Sequence, residues 1–298
     1  MKVLVTGAHG FIGFHCLIKL IDRGFEVHAL SSIKRSDLPP VIWHQADLLV
    51  SKEITALIGD IKPTHLLHLA WYTEHGSFWN SIENFEWLQA SLFLMRTFVE
   101  FGGQRYVGAG TCAEYDWTHK FCSENLTPCR PNTLYGTSKY SSYLMLESLA
   151  NQTGISSAWG RIFFLYGPRE SKLRLVPSAI NSLLRGDSFV CSHGQYIRDF
   201  MYVEDVAAAF VALLGSDITG AVNIASGKSF SLQHVINTIA NLLGKESHVQ
   251  FDAPSDDVNN TSELYADAYR LHHEVGFHSL YDLDTGLSLT IESIVKTF

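Results

Sequence analysis

Tyr135 and Lys139, in the stretch Tyr135-Gly136-Thr137-Ser138-Lys139, carry the chemistry most readily read from this chain. Four residues apart on a helix, their side chains lie on one face, one turn above each other. A free phenol has a pKa of about 10 and exchanges protons poorly near neutrality. A nearby ammonium stabilises the phenolate and pulls that value down. The pair therefore suits general acid–base work on an alcohol or a carbonyl. Most Tyr-x-x-x-Lys spacings are plain helix faces, so the surrounding elements decide what this one does.

Those elements begin at the N-terminus. Val3, Leu4 and Val5 form an apolar run expected of a strand buried on both faces. Thr6-Gly7-Ala8-His9-Gly10-Phe11-Ile12-Gly13 follows, then a helix over Phe14 to Arg23 with Leu17, Ile18, Leu20 and Ile21 inward. Gly24 closes that helix, and Phe25 to Leu30 reads as a second strand. This βαβ unit has glycines at its first crossover, spaced Gly-x-x-Gly-x-x-Gly. Gly7 permits the tight turn, Gly10 lets the backbone approach a pyrophosphate, and Gly13 lets the helix pack closely on the sheet. Phe11 and Ile12, between the last two glycines, are candidate cofactor-binding positions with them. Enzymes preferring NAD usually place an acidic residue after the second strand. Here the sequence is Leu30-Ser31-Ser32-Ile33-Lys34-Arg35. The hydroxyls of Ser31 and Ser32 with the bidentate cation of Arg35 suit a 2′-phosphate, so NADPH is the preferred cofactor, with NAD as the alternative.

Strand and helix continue to alternate through the first half, which indicates an α/β fold with a Rossmann-type, doubly wound parallel sheet. Ile82 to Phe101 and Tyr135 to Asn151 read as long helices, and Leu66 to Leu69 and Arg105 to Ala109 as buried strands. After Gly167 the pattern becomes irregular. A dinucleotide-binding domain is expected over 1–165 plus 192–215, with Arg198 to Leu214 returning to the main sheet. A smaller C-terminal α/β substrate-binding lobe is expected over 166–191 and 216–298. A net charge of −8 with no basic tract argues against nucleic acid as a partner. No apolar run is long enough to span a membrane, and Met1-Lys2 leads straight into a strand and not a signal peptide, so a cytoplasmic location is expected. Cys16, Cys112, Cys122, Cys129 and Cys191 show no Cys-x-x-Cys and no metal spacing, so no metal is expected.

Together these motifs resemble the extended short-chain dehydrogenases/reductases, the group of nucleotide-sugar epimerases, dehydratases and reductases. The resemblance runs through nearly the whole chain. Asp47-Leu48 resembles the pair that meets the adenine ring, and His68-Leu69-Ala70 the segment closing the fourth strand beside the cofactor. Tyr166-Gly167-Pro168, Arg198 to Val206, Asn223 to Gly227 and Leu283 to Ile291 match later landmarks in order. The resemblance implies that Thr111 completes a catalytic set with Tyr135 and Lys139, fixing a substrate oxygen near the phenol, while Lys139 also binds the nicotinamide ribose. It further implies a homodimer built on the two long helices.

Departures from the family narrow the reaction. Resembling dehydratases carry Asp-Glu directly after the catalytic Thr; here Cys112-Ala113 stands there, which argues against water elimination. Cys112 reads as a small core residue. Epimerases of the group often have Asn before Tyr-Gly-Pro, where this chain has Phe163-Phe164-Leu165. Arg198 remains the expected phosphate partner, with an ion pair to Asp199 as its alternative use. Trp71, Tyr72, Glu114, Asp116 and Trp117 lie just beyond strand ends, where ligands bind in this architecture, and Trp71 and Glu114 are taken as substrate contacts. The expected function is NADPH-dependent reduction of a nucleotide-linked 4-keto-6-deoxy sugar, CDP- or dTDP-linked. A 4-epimerase with tightly bound NAD is the alternative, and a non-catalytic NADP-sensing protein a remote one.

Overall fold

The structure is a computed structural model and describes residues 1–33, 40–252 and 261–297. The first half alternates β1 (Lys2–Thr6), α1 (Phe11–Asp22), β2 (Glu26–Ser31), β3 (Ile42–Gln45), α2 (Ser51–Ile61), β4 (His65–His68), α3 (Glu83–Glu100) and β5 (Arg105–Thr111). After a short strand β6 (Phe121–Cys122) come α4 (Leu134–Thr153), β7 (Ser156–Ile162), β8 (Phe164–Tyr166), α5 (Leu175–Arg185) and β9 (Phe189–Cys191). The chain closes with β10 (Ile197–Tyr202), α6 (Val203–Leu214), β11 (Gly220–Ile224), β12 (Ser229–Ser231), α7 (Leu232–Leu243), β13 (Val249–Phe251), β14 (Glu263–Ala266) and α8 (Leu283–Val295).

Seven parallel strands make the large sheet in the order β11-β7-β5-β4-β1-β2-β3. The order reverses between β1 and β4, which opens a crevice at the carboxyl ends of those strands, where ligands bind in doubly wound sheets. The glycine turn after β1 and the His68–Ala70 segment after β4 both lie at that crevice. One face of the sheet packs α1 and α6 through Leu17, Leu20, Val206 and Phe210. The other carries Ile54, Ile58, Leu94, Phe98 and Leu146 from α2, α3 and α4. Burial of both faces explains why β1 reads as an unbroken apolar run.

The smaller lobe holds a five-stranded sheet of β6, β8, β10, β12 and β14 and a pair of β9 with β13. Its own core gathers Ile180 and Leu183 of α5, Ile236 and Ile239 of α7 and Leu287 of α8. Two sequence-based expectations need correction here. The strand β10 does not return to the main sheet: Arg198 and Asp199 spend their side chains on loop backbone of the lobe, and β10 pairs with β8, β12 and β14. Only α6 returns, packing on α1. Conversely β11, allotted to the lobe, extends the large sheet by pairing with β7 from Gly220–Ala158 to Ile224–Ile162.

The first crossover is the tightest joint. A Cβ at Gly13 would stand 2.2 Å from the Gly7 carbonyl oxygen. Gly13→Ala is therefore expected to lower unfolding free energy by about 1–3 kcal/mol, as overpacking does. Urea unfolding of the variant beside the parent checks this, and an unchanged midpoint would contradict so close an approach.

Candidate active site

The crevice between β1 and β4 is lined by backbone. Gly7 has φ +66°, and a Cβ there would lie 2.7 Å from the Ala70 amide nitrogen. Only glycine fits both the turn and the neighbouring chain. Gly10 precedes α1, whose first-turn amides at Phe11, Ile12 and Gly13 have no intrahelical acceptors. Thr6 ties the two strands together: its hydroxyl bonds His68 Nδ1 at 2.7 Å and accepts from the Ala70 amide at 3.3 Å, while its carbonyl accepts from Leu69. Ser91 Oγ donates to the Trp87 carbonyl, which leaves His68 Nε2–H to donate to Ser91. Burial and the Lys139 charge pull His68 down to about 3, so it is neutral. Asp47 Oδ1 accepts from the Leu49 amide, closing the turn that seats Leu48 in the core. Ser31 is buried with Oγ accepting from Ile33, and Ser32 is exposed; Lys34 and Arg35 lie outside the described residues.

The structure brings Thr111, Tyr135 and Lys139 together. Thr111 ends β5 and caps the turn over Cys112–Glu114, accepting from the Ala113 amide at 3.2 Å. Thr133 caps α4 by accepting from Gly136 at 3.1 Å, so Tyr135 sits in the first turn and Lys139 one turn on. Gly136 presses against that same turn: a Cβ there would lie 2.4 Å from the Ala113 carbonyl oxygen. The close approach brings Tyr135 up to Thr111, whose side chain partly offsets the effect of burial on the phenol. Burial raises the phenol above its ordinary value, so it is protonated at neutrality. Lys139 Nζ donates to the Ala109 carbonyl at 2.8 Å and is pulled down to about 7 by loss of water, opposed by the Glu114 charge. The Cys112 thiol is buried and pushed up to about 12, so it supplies no thiolate near neutrality.

Three expected substrate contacts lie elsewhere. Glu114 faces the core: Oε2 accepts from Arg161 Nε at 2.8 Å, and Oε1 accepts from Trp159 Nε1 and the Thr111 amide, both at 2.9 Å. Its side chain is fully buried, so it meets no substrate. Trp71 is buried beneath Lys139 and so forms no open sugar wall. Arg198 is stacked between Phe164 and Tyr196 and donates to the carbonyls of Ile197, Thr261 and Ser262. A phosphate would have to displace those carbonyls. Asp199 makes no ion pair with it; its carboxylate accepts from Ser226 and Gly227.

Other groups around the phenol had no periodic signal in the sequence. Phe78 meets the Tyr135 ring edge-on at 4.9 Å, and Trp79 at 5.9 Å, while the Trp79 carbonyl accepts from the Tyr135 amide. Trp117, donating to the Cys112 carbonyl, meets Trp79 edge-on at 6.1 Å. Arg174 lies over Phe78 at 5.4 Å and pairs with no carboxylate among the described residues. Its neighbour Glu170 keeps one buried, unpartnered oxygen, and burial pushes that carboxyl up to about 8. Adjacent aromatics at positions 78 and 79 were the one cue available.

The family described as "NAD dependent epimerase/dehydratase family" matches residues 3–225. UDP-glucuronic acid decarboxylase 1 of Xenopus tropicalis is 24% identical over 99% of this chain and 72% of its own length. The dTDP-4-dehydro-6-deoxyglucose reductase of Escherichia coli is 25% identical over 98% of this chain and 97% of its own. The UDP-glucose 4-epimerase of Thermus thermophilus, solved as a complex with NAD, superposes with a TM-score of 0.86 at 26% identity, covering 100% of both chains. Among the described residues no helix is long and apolar enough to cross a membrane.

The buried ion pair yields a direct test of where Glu114 belongs. Arg161→Met leaves its carboxylate without a cation and is expected to cost about 3–5 kcal/mol of unfolding free energy. Arg161→Met combined with Glu114→Gln should recover most of that. Denaturant unfolding at neutral pH compares the variants; a single-variant loss under about 1 kcal/mol, typical of surface changes, would place Glu114 in water.

Proposed function

Because the chain belongs to the NAD dependent epimerase/dehydratase family, we propose that it is an NADPH-dependent reductase of a nucleotide-linked 4-keto-6-deoxy sugar, CDP- or dTDP-linked. The observation that carries this reading is a protonated Tyr135 beside Thr111 and above Lys139, in a site where buried Cys112 and Ala113 supply no carboxyl for elimination. The E. coli 4-ketoreductase relative, similar over nearly its full length, supports the same reaction class.

The residues present fit a dinucleotide. The crossover is stripped of side chains at Gly7, Gly10 and Gly13, and the first-turn amides of α1 would hold a pyrophosphate. The absence of a carboxylate at Ser31-Ser32 supports NADPH over NAD. A reduced nicotinamide held there would supply the hydride for the ketone carbon. Thr111 donates a hydrogen bond to the ketone oxygen and fixes it against the phenol. As that oxygen gains negative charge, Tyr135 gives it the proton, and a C–OH group results. The Lys139 ammonium then stabilises the phenolate left behind. The half-buried rings of Trp79 and Trp117, which meet edge-on near the phenol, would suit a deoxygenated sugar better than a fully hydroxylated one. Exposed Phe85 of α3 and Leu144 and Met145 of α4 support a homodimer through those helices.

A second reading draws on the Thermus epimerase with its bound NAD. A 4-epimerase would use the same three residues, with Tyr135 first accepting a proton and the cofactor retained through the cycle.

One assay separates the two. With NADPH and a panel of nucleotide-linked 4-keto-6-deoxy sugars, stoichiometric loss of nicotinamide absorbance is expected with one donor. Interconversion of two nucleotide sugars without net oxidation would instead assign the epimerase. Tyr135→Phe is expected to retain cofactor binding and lose about 10²–10⁴-fold in turnover. Unchanged turnover would remove Tyr135 from the chemistry.

A further inference from the structure

We propose that Trp71 is a positioning residue for Lys139, its indole face holding the ammonium in its charged, outward-donating state inside a site from which water is excluded. The inference rests on the assignment of Lys139 to cofactor and phenol in the preceding reading.

Lys139 Nζ lies 4.0 Å from the centroid of the Trp71 ring and 2.8 Å from the Ala109 carbonyl oxygen. The lysine is buried, and among the described residues no carboxylate stands within ion-pair distance of it. An ammonium has three N–H donors. One goes to Ala109, and the indole covers another side, which leaves a donor for a cofactor hydroxyl or the Tyr135 oxygen. Each charged or titratable neighbour is already committed. Glu114, from the turn after β5, gives its charge to Arg161 of β7, and neutral His68 of β4 bonds Thr6 and Ser91. Tyr135, on α4 itself, is protonated. Beyond the Ala109 carbonyl, the Trp71 face at 4.0 Å is closer to the ammonium than the other ring near it, Trp159 at 6.0 Å; the Glu114 charge adds to the same preference for the cation.

The ring is itself held in place. Trp71 Nε1 donates to Asn84 Oδ1 at 3.0 Å, and the fully buried Asn84 amide donates to the Phe78 and Ser81 carbonyls at 2.8 and 2.9 Å. Phe78 packs edge-on against Tyr135. One side-chain amide therefore fixes both the surface under the ammonium and the ring against the phenol. Packing alone would need neither the centred ammonium nor the anchored indole nitrogen.

The test is reduced-cofactor binding, followed by nicotinamide fluorescence across the neutral to alkaline range, in the full chain without any sugar. Affinity in the parent is expected to fall as pH rises and Lys139 loses its proton. In Trp71→Leu that fall should occur about 1 pH unit lower, the size of a desolvated cation–π contact. Trp71→Phe, which keeps a ring face, should follow the parent, and Lys139→Met should show no fall at all. Trp71→Met, whose flexible thioether fills space without a ring, replaces the Leu variant if that one does not fold. A pH dependence in Trp71→Leu or Trp71→Met that coincides with the parent's, at whatever affinity, overturns the proposal, as does a fall that survives in Lys139→Met. Absence of cofactor binding by the parent would overturn the reading of the site itself and the inference with it.

Discussion

Glu114 and Arg161 meet fully buried, and the turn that presents Thr111 depends on how that charge pair is satisfied. Removing each ion from water costs several kcal/mol, so the pair holds only with its remaining donors and acceptors answered. The carboxylate takes three donors, one of them the Thr111 amide, and this pins the turn that presents the Thr111 hydroxyl. Arg161 continues to the Tyr115 hydroxyl at 3.1 Å, which donates to Asn223 Oδ1 at 2.7 Å. The Asn223 amide reaches the Cys122 and Asp267 carbonyls, at the ends of β6 and β14. One line of hydrogen bonds therefore runs from the end of β5 through β7 and β11 to the smaller sheet.

Within that frame, burial sets the proton balance. Tyr135 and Lys139 share a helix face, yet desolvation pushes the phenol up and the ammonium down, toward neutral forms in both cases. Opposed shifts of neighbouring groups are how a single site divides acid from base. Trp71 and Phe78, the buried residues of their loop, pack on Lys139 and Tyr135, and Asn84 bonds to both of them.

Family membership accounts for the parallel sheet, a fold that serves several reactions. What distinguishes reactions are the side chains on the pocket wall. In this chain Cys112 and Ala113 are buried and without useful acidity, and Phe163 to Leu165 offer no polar group. The rings of Phe78 and Trp79 meet the phenol edge-on.

The sequence by itself determined what depends on short-range geometry. Gly7, Gly10 and Gly13 specify a crossover in which backbone touches backbone, the apolar run at Val3–Val5 specifies a strand covered on both sides, and a four-residue spacing places Tyr135 under Lys139. The last of these fixes only that Tyr135 and Lys139 share a helix face one turn apart, and all follow from the periods of helix and strand and from the missing Cβ, so no distant residue is needed to read them. Tertiary structure alone decided which partners those residues meet. Glu114 finds Arg161 47 positions away, β10 and β11 exchange the sheets expected of them, and Trp71 turns its face to an ammonium on α4. Such contacts arise from the stacking order of strands and the exclusion of water between layers, and neither leaves a period in the chain.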